Sequence, residues 1–255
     1  MRIYITGDGR SGTTWFAMMV ASNEKLPYFH EPFLRKQNAD PFGLIKKKEV
    51  DPPYVPDRKY IFDYLSKGIK TIPNFVIKDF AGLYYTKNLQ NELGFKIINV
   101  IRHPAPWTMS AVKLGWGVGF YDFIGIPTVM DAVRPYLDHI YSRVDRYWIT
   151  WMSWAIRYMT LRKSGVGDWV THEELCINTK KSFEKIGLKF NMYGQQFYNG
   201  HNVGDKPGPK TKKRITEEEP YKWFGKFDKF DEMRKALEPF KVEEWGHWGE
   251  EFWRG

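Results

Sequence analysis

The sequence predicts an α/β protein of three layers, a central parallel β-sheet flanked by helices. Three observations point there. Short apolar runs alternate along the chain with helix-like segments, the pattern of successive βα units. The runs from Phe75 to Lys78 and from Lys96 to Ile101 are apolar at successive rather than alternate positions, as strands covered on both faces are. The first run ends in a glycine turn and is followed at once by a helix-like stretch.

In chain order, Arg2 to Thr6 is the first strand and Thr13 to Ser22 the helix after it. Residues 23–60 carry Pro27, Pro32, Pro41, Pro52, Pro53 and Pro56. They are expected to be irregular, because proline disfavours helix interiors and central strands. Phe75 to Lys78 is the second strand, Leu83 to Leu93 a helix, and Lys96 to Ile101 the third strand. Pro104 opens a helix that runs through Ser110 towards Leu114, since proline suits a first helical turn. Asp131 to Lys163 is long and aromatic and reads as one or two helices. Asp168 to Thr171 is a fourth strand, with a helix from Glu173 to Ile186. Asn199 to Arg214 is a loop rich in Gly, Pro and Lys, and Thr216-Glu217-Glu218-Glu219 fits a capping box opening a C-terminal helical region. The whole reads as one domain, residues 1–255.

Composition narrows the function classes. A formal charge of +9 suits anionic partners such as nucleotides or acidic glycans, or reflects ordinary surface lysine. Cys176 stands alone, which excludes an intrachain disulfide; it reads as a small buried hydrophobe in a helix. No apolar run reaches the roughly 18 residues of a membrane span. No leader is expected, because Arg2 to Thr6 already reads as a strand. A cytoplasmic protein without membrane contact is expected.

The first strand runs into Gly7-Asp8-Gly9-Arg10-Ser11-Gly12-Thr13-Thr14-Trp15. Strand, glycine turn and helix N-terminus make a ready anion site, where unpaired N–H groups and the positive helix end face the ligand. Gly7, Gly9 and Gly12 match the dinucleotide pattern G-x-G-x-x-G. That reading needs a second strand soon after the helix, with an acid about 20 residues on, and the proline-rich segment does not provide it. Gly7 and Gly12 also have P-loop spacing, but Thr13 stands in place of the lysine. The loop cation is Arg10 instead. Arg10-Ser11-Gly12-Thr13-Thr14-Trp15 resembles the 5′-phosphosulfate loop of sulfotransferases, a P-loop-like family. The resemblance implies that Gly9, Arg10, Ser11, Gly12, Thr13, Thr14 and Trp15 hold the 5′ end of 3′-phosphoadenosine 5′-phosphosulfate (PAPS). The product would be 3′-phosphoadenosine 5′-phosphate (PAP).

A second motif agrees. Ile101-Arg102-His103-Pro104 follows the third strand, and Ser110 lies eight residues beyond Arg102. This is similar to the family's 3′-phosphate site and implies that role for Arg102 and Ser110. The chemistry is apt, because arginine offers a bidentate fork to phosphate and open sheets bind ligands at their carboxyl edge. Trp169-Val170-Thr171-His172-Glu173-Glu174-Leu175 resembles the family's Tyr-Glu-Asp-Leu junction, where an aromatic meets adenine; His172 takes that position here. A late basic loop, Gly208 to Arg214 with Lys210, is similar to one the family lays over the donor phosphates, or is a solvated charge run. Gly115 to Phe120 is an aromatic, glycine-rich loop that either meets the acceptor or simply connects.

Sulfuryl transfer needs a base for the acceptor's proton, donors for the charge on the leaving phosphate, and in-line geometry. Phe29-His30-Glu31-Pro32-Phe33 offers two candidate bases, and Glu31 lies 21 residues after Arg10. That placing resembles tyrosylprotein sulfotransferases and favours Glu31 over His30. Val76-Ile77-Lys78-Asp79-Phe80 resembles the family's Lys-Asp-Pro, with Phe80 for proline, and implies that Lys78 supports the leaving phosphate beside Arg10. No metal is expected: His30-Glu31 and His172-Glu173-Glu174 lack the second histidine of H-E-x-x-H. The expected acceptor is a small molecule, glycan or peptide with a hydroxyl or amine, and nucleic acid is not expected. The competing readings are a P-loop kinase or other phosphotransferase, and a non-catalytic P-loop domain that binds polyanions.

Overall fold

The computed structural model of the chain describes residues 1–9, 11–33, 58–80, 83, 85–115, 127–138, 140, 142–190, 229, 231, 232 and 235. In chain order the elements are β1 (Arg2–Thr6), α1 (Thr13–Glu24), β2 (Tyr28–His30), α2 (Arg58–Thr71), β3 (Phe75–Lys78), α3 (Thr86–Leu93), β4 (Lys96–Ile101), α4 (Pro104–Leu114), α5 (Pro127–Leu137), α6 (Arg143–Lys163), β5 (Asp168–Thr171), α7 (His172–Ile177) and α8 (Thr179–Lys185). The chain divides into two compact units, Met1–Val100 with Val166–Thr216 and Ile101–Gly165 with Glu217–Gly255.

The first unit is built on a five-stranded sheet of order β2-β3-β1-β4-β5. β1 runs parallel to β3 and β4, and β2 parallel to β3. Strand side chains alternate between faces, and both faces are covered. Ile3, Ile5, Val76, Ile98 and Val100 pack against Phe16 and Val20 of α1 and Phe183 of α8. Tyr4, Phe75, Ile77 and Ile97 pack against Ile61 and Leu65 of α2 and Leu89 of α3. A sheet wet on one side would show polar residues at every second position; double coverage is why these runs are apolar throughout.

The described parts of the 23–60 segment, residues 23–33 and 58–60, hold regular structure that its prolines did not suggest. Pro27 and Pro32 flank β2 rather than interrupt it. The Val76 N–H donates to the Pro27 carbonyl at 2.8 Å and the Glu31 N–H to the Lys78 carbonyl at 2.7 Å. β2 lies at the sheet edge, where flanking prolines cost no ladder bond. α2 begins at Arg58, with Ile61, Tyr64, Leu65 and Gly68 on its buried side. The expected helix from Glu173 to Ile186 is two helices. It breaks at Asn178, whose side chain accepts from Lys181 N and caps α8. The expected 199–214 loop, with Lys210, and the 216–219 box lie outside the described residues, as do residues 116–120.

In the second unit, α6 packs against α4 and α5. It buries Tyr147, Trp148, Trp151, Trp154 and Tyr158 among others, so the aromatic stretch of the sequence is core. Its start is a full capping box: Ser142 accepts from Asp145 N while the Asp145 carboxylate accepts from Ser142 N. Among the described residues, no helix is long and apolar enough to cross a membrane.

Candidate active site

β1 ends at Thr6 and the chain turns through residues 7–12 into α1. Gly12 is the N-cap of α1 at φ 75°, a left-handed conformation, and no side chain caps the helix there. A helix start with no side-chain cap is one at which an oxyanion can be received. Two glycines are dictated by close approach. A Cβ on Gly7 would lie 2.4 Å from the Val100 carbonyl oxygen and 2.5 Å from Thr13 Cγ2. One on Gly12 would lie 2.5 Å from His172 Nδ1. Inside the loop, the Ser11 hydroxyl donates to the Asp8 carboxylate and Ser11 N to the Asp8 carbonyl at 3.2 Å. Ser11 and Thr13 are buried and Thr14 half-buried. Trp15 is partly buried against the α1 side of the core. Arg10 lies outside the described residues.

His172 starts α7 just after the Thr171–Glu174 capping box. It is buried, with one ring nitrogen over Gly12 and the other, Nε2, 3.5 Å from Cys176 Sγ. The β5–α7 junction thus borders the glycine loop within the first unit. Cys176 is half-buried rather than buried.

The strand ends beside the loop carry the titratable groups. The register pairs Lys78 of β3 with Ile5 of β1 on one side and with His30 of β2 on the other. Because these strands are parallel, Lys78, His30 and Glu31 stand at the same sheet edge as the glycine loop. That carboxyl edge is where open α/β sheets place ligands. The Lys78 ammonium donates to Glu31 Oε1. Lys78 is 3% exposed and Glu31 9%. Burial pulls the Lys78 amine down to about 8, against the opposing charge of Asp79. It is still a cation at neutral pH. Glu31 holds φ 46°, an uncommon conformation for a residue with a side chain. Two bonds secure it: its own N–H to Lys78 O, and Phe33 N to the buried Asp79 carboxylate at 2.9 Å. His30 faces Glu31 Oε2 through Nε2 at 3.7 Å, and its Nδ1 lies 2.8 Å from the Tyr28 hydroxyl. Burial, then the Lys78 charge, holds His30 down to about 4.

Arg102 and Ser110 belong to the second unit. His103 caps α4: its Nδ1 accepts from Ala105 N at 3.1 Å, with Pro104 in the first turn. The Arg102 carbonyl accepts from Trp151 Nε1 at 2.9 Å. This cap and this bond fix the backbone on either side of the Arg102 side chain, which is half-buried, as is Ser110. Neither His103 nor Tyr28 was marked by sequence reasoning. The Arg-His-Pro order carries the first signal, since a polar residue before proline is a common helix start. Tyr28 had none, because its strand was hidden among prolines. Among the described residues, no group of three or more His, Cys, Asp or Glu could hold a metal ion.

No protein-family profile matches the chain, and no curated protein matches it in sequence. Solved structures do. One is a sulfotransferase domain from the curacin biosynthetic pathway, 15% identical, with 94% of this chain and 97% of that one covered and a TM-score of 0.52. Another is a mouse sulfotransferase complexed with PAP, 12% identical, with 98% of this chain and 88% of that one covered and a TM-score of 0.50. At such identities the likeness is one of architecture, and it establishes that the chain has a sulfotransferase-like fold, an α/β fold with a central five-stranded parallel sheet flanked by helices.

Proposed function

We propose that this protein is a sulfotransferase that moves a sulfuryl group from PAPS to a hydroxyl or amine acceptor by in-line displacement. The observation that carries the reading is the buried Lys78–Glu31 pair at the sheet edge where the glycine loop opens. A buried ion pair is a poor way to stabilise a fold, because desolvation offsets most of the attraction. A cation and a carboxylate kept dry beside an anion site are instead what charge-compensated group transfer uses.

The donor supplies the activated sulfuryl group, and PAP leaves. The first turn of α1, with Gly12, Thr13 and Thr14, would hold the 5′ end together with Arg10. Arg102 and Ser110 would hold the 3′-phosphate, and His172 would border the nucleotide. Lys78 would donate to the oxygen that joins phosphate and sulfuryl, steadying charge as that bond breaks. When Lys78 turns to this task, Glu31 loses its counter-cation. A buried carboxylate without one binds a proton more strongly, so Glu31 becomes the base when the donor is in place. The acceptor would be a small molecule, glycan or peptide.

Calorimetric titration with PAP, against adenosine 5′-phosphate, tests the reading. Micromolar binding that depends on the 3′-phosphate is expected. Arg102→Ala should weaken it by about 2 kcal/mol, the scale of a lost charge-assisted hydrogen bond. Stabilisation by ATP with Mg²⁺ but not by PAP would turn the reading to a kinase.

A further inference from the structure

Two side chains in the first unit, Tyr28 and His30, form a line that ends on the Lys78–Glu31 pair. Tyr28 and His30 are two residues apart on β2 and so share a face. The Tyr28 hydroxyl lies 2.8 Å from His30 Nδ1, and His30 Nε2 lies 3.7 Å from Glu31 Oε2. The other carboxylate oxygen, Oε1, takes the Lys78 ammonium.

The chemistry of the groups decides where the protons are. A neutral imidazole carries one N–H, and an ionised carboxylate carries lone pairs only. An unprotonated Nε2 would set a lone pair against Glu31 Oε2. A proton on Nε2 instead points a positive dipole at it. Nδ1 must then be the acceptor, and the only donor on that bond is the Tyr28 phenol. The surroundings keep both partners in these states. Burial and the Lys78 charge keep His30 neutral, while burial and the Asp79 charge raise the Tyr28 phenol above its ordinary value, so it remains a donor.

We propose that Tyr28 and His30 are positioning residues for the Glu31 carboxylate: the Tyr28 hydroxyl fixes the Nε2–H tautomer of His30, and that N–H orients Glu31 Oε2. The role given to Glu31 rests on the sulfotransferase reading; the proton arrangement does not. The two carboxylate oxygens then have separate neighbours. Oε1 takes a cation that has another task, and Oε2 faces, at 3.7 Å, a neutral N–H that has none. When Lys78 leaves, the His30 N–H dipole still faces the carboxylate and favours its orientation.

Long-range ¹H–¹⁵N spectra of the full chain, labelled at its histidines, report tautomers directly. His30 is assigned by the resonance lost in His30→Gln. The expected result is an Nε2–H tautomer in the wild type and a mixture of tautomers in Tyr28→Phe. An Nδ1–H tautomer in the wild type, or an unchanged tautomer in Tyr28→Phe, overturns the proposal. Turnover adds a second readout. Tyr28→Phe should lose about tenfold in kcat at unchanged PAP affinity. His30→Gln, whose amide can still donate towards Oε2, should keep more activity than His30→Phe. Equal losses in the two His30 variants, with both folded, would also overturn it. A wild type that does not bind PAP refutes the sulfotransferase reading, and the tautomer spectra then judge the arrangement alone.

Discussion

At the scale of single residues, the candidate site is a set of positions where one atom decides. Gly12 combines a left-handed backbone with a 2.5 Å approach to His172 Nδ1. Alanine there would need both strained dihedrals and a shifted imidazole. Gly12→Ala should therefore lower PAP affinity by tenfold or more, about 1.4 kcal/mol, in the same titration; an unchanged affinity would detach the loop from the nucleotide. The Lys78–Glu31 pair yields a sharper expectation. Glu31→Gln should cut kcat about 10²-fold, the scale of a lost general base, while PAP binds normally. Lys78 acts only as a cation, and its amine sits at about 8. Activity should thus fall as pH rises through that value, in a kcat profile taken between pH 6 and 10. A flat profile to pH 10 would remove Lys78 from the leaving-group role. The glycine turn after β1 and Lys78 at the end of β3 stand where the sequence placed them, because the strands before them are legible; Glu31 drew notice only by its distance from Arg10. The Tyr28–His30 contact was not legible, because it depends on β2 pairing with β3, and nothing in a proline-rich segment reveals an edge strand three residues long.

At the scale of elements, legibility followed burial. β1, β3, β4 and β5 have the bounds expected of them, because strands covered on both faces leave an unbroken apolar signature. α4 was equally plain, for Pro104 marks its start and Gly115, at φ 60°, its end. What failed were the boundaries set by polar side chains acting on the backbone. The Asn178 break between α7 and α8 is one case. At the start of α6, the Ser142–Asp145 box settles as two helices what the sequence had left as one or two. These caps are local hydrogen bonds that periodicity does not see. The α6 box carries a testable energy. Burial would raise the Asp145 carboxyl, but bonds from Ser142 and Trp148 and the Lys229 charge outweigh it and hold it below the ordinary carboxylate range. Ser142→Ala removes the hydroxyl that binds both Asp145 N and its carboxylate. The loss should be about 1 kcal/mol, within the usual range for a cap, read as a lower urea midpoint for the α6 amides. No shift would mean that the second unit's aromatic core alone sets the start of α6.

At the scale of the whole molecule, the sum of its charges and buried groups fixes how stability responds to pH. The chain carries +9 at neutral pH, so acid adds charge to a molecule that already repels itself. His30 contributes in one direction. Its folded value, about 4, lies below the ordinary 6.5. Between those two values the unfolded chain binds a proton that the folded chain refuses, so stability rises with pH across that window and is lost as pH falls through it. Asp145, held low, has the same sign: its contribution is present above the ordinary carboxylate range and fades below it. Lys78, held at about 8 against an ordinary 10.5, extends the trend, because the unfolded chain again binds more protons between those values. Stability should thus climb from pH 4.5 to 7 and keep climbing towards pH 9. Two compact units make a single unfolding free energy ill-defined unless probes coincide. The measurement is therefore the urea midpoint of the β1, β2 and β3 amides, resolved by heteronuclear NMR at each pH. His30→Gln should flatten the acid part of that curve and leave the alkaline part as it was. An equally steep acid limb in the variant would assign the slope to net charge alone, and His30 would then be no drier in the folded chain than in the unfolded one.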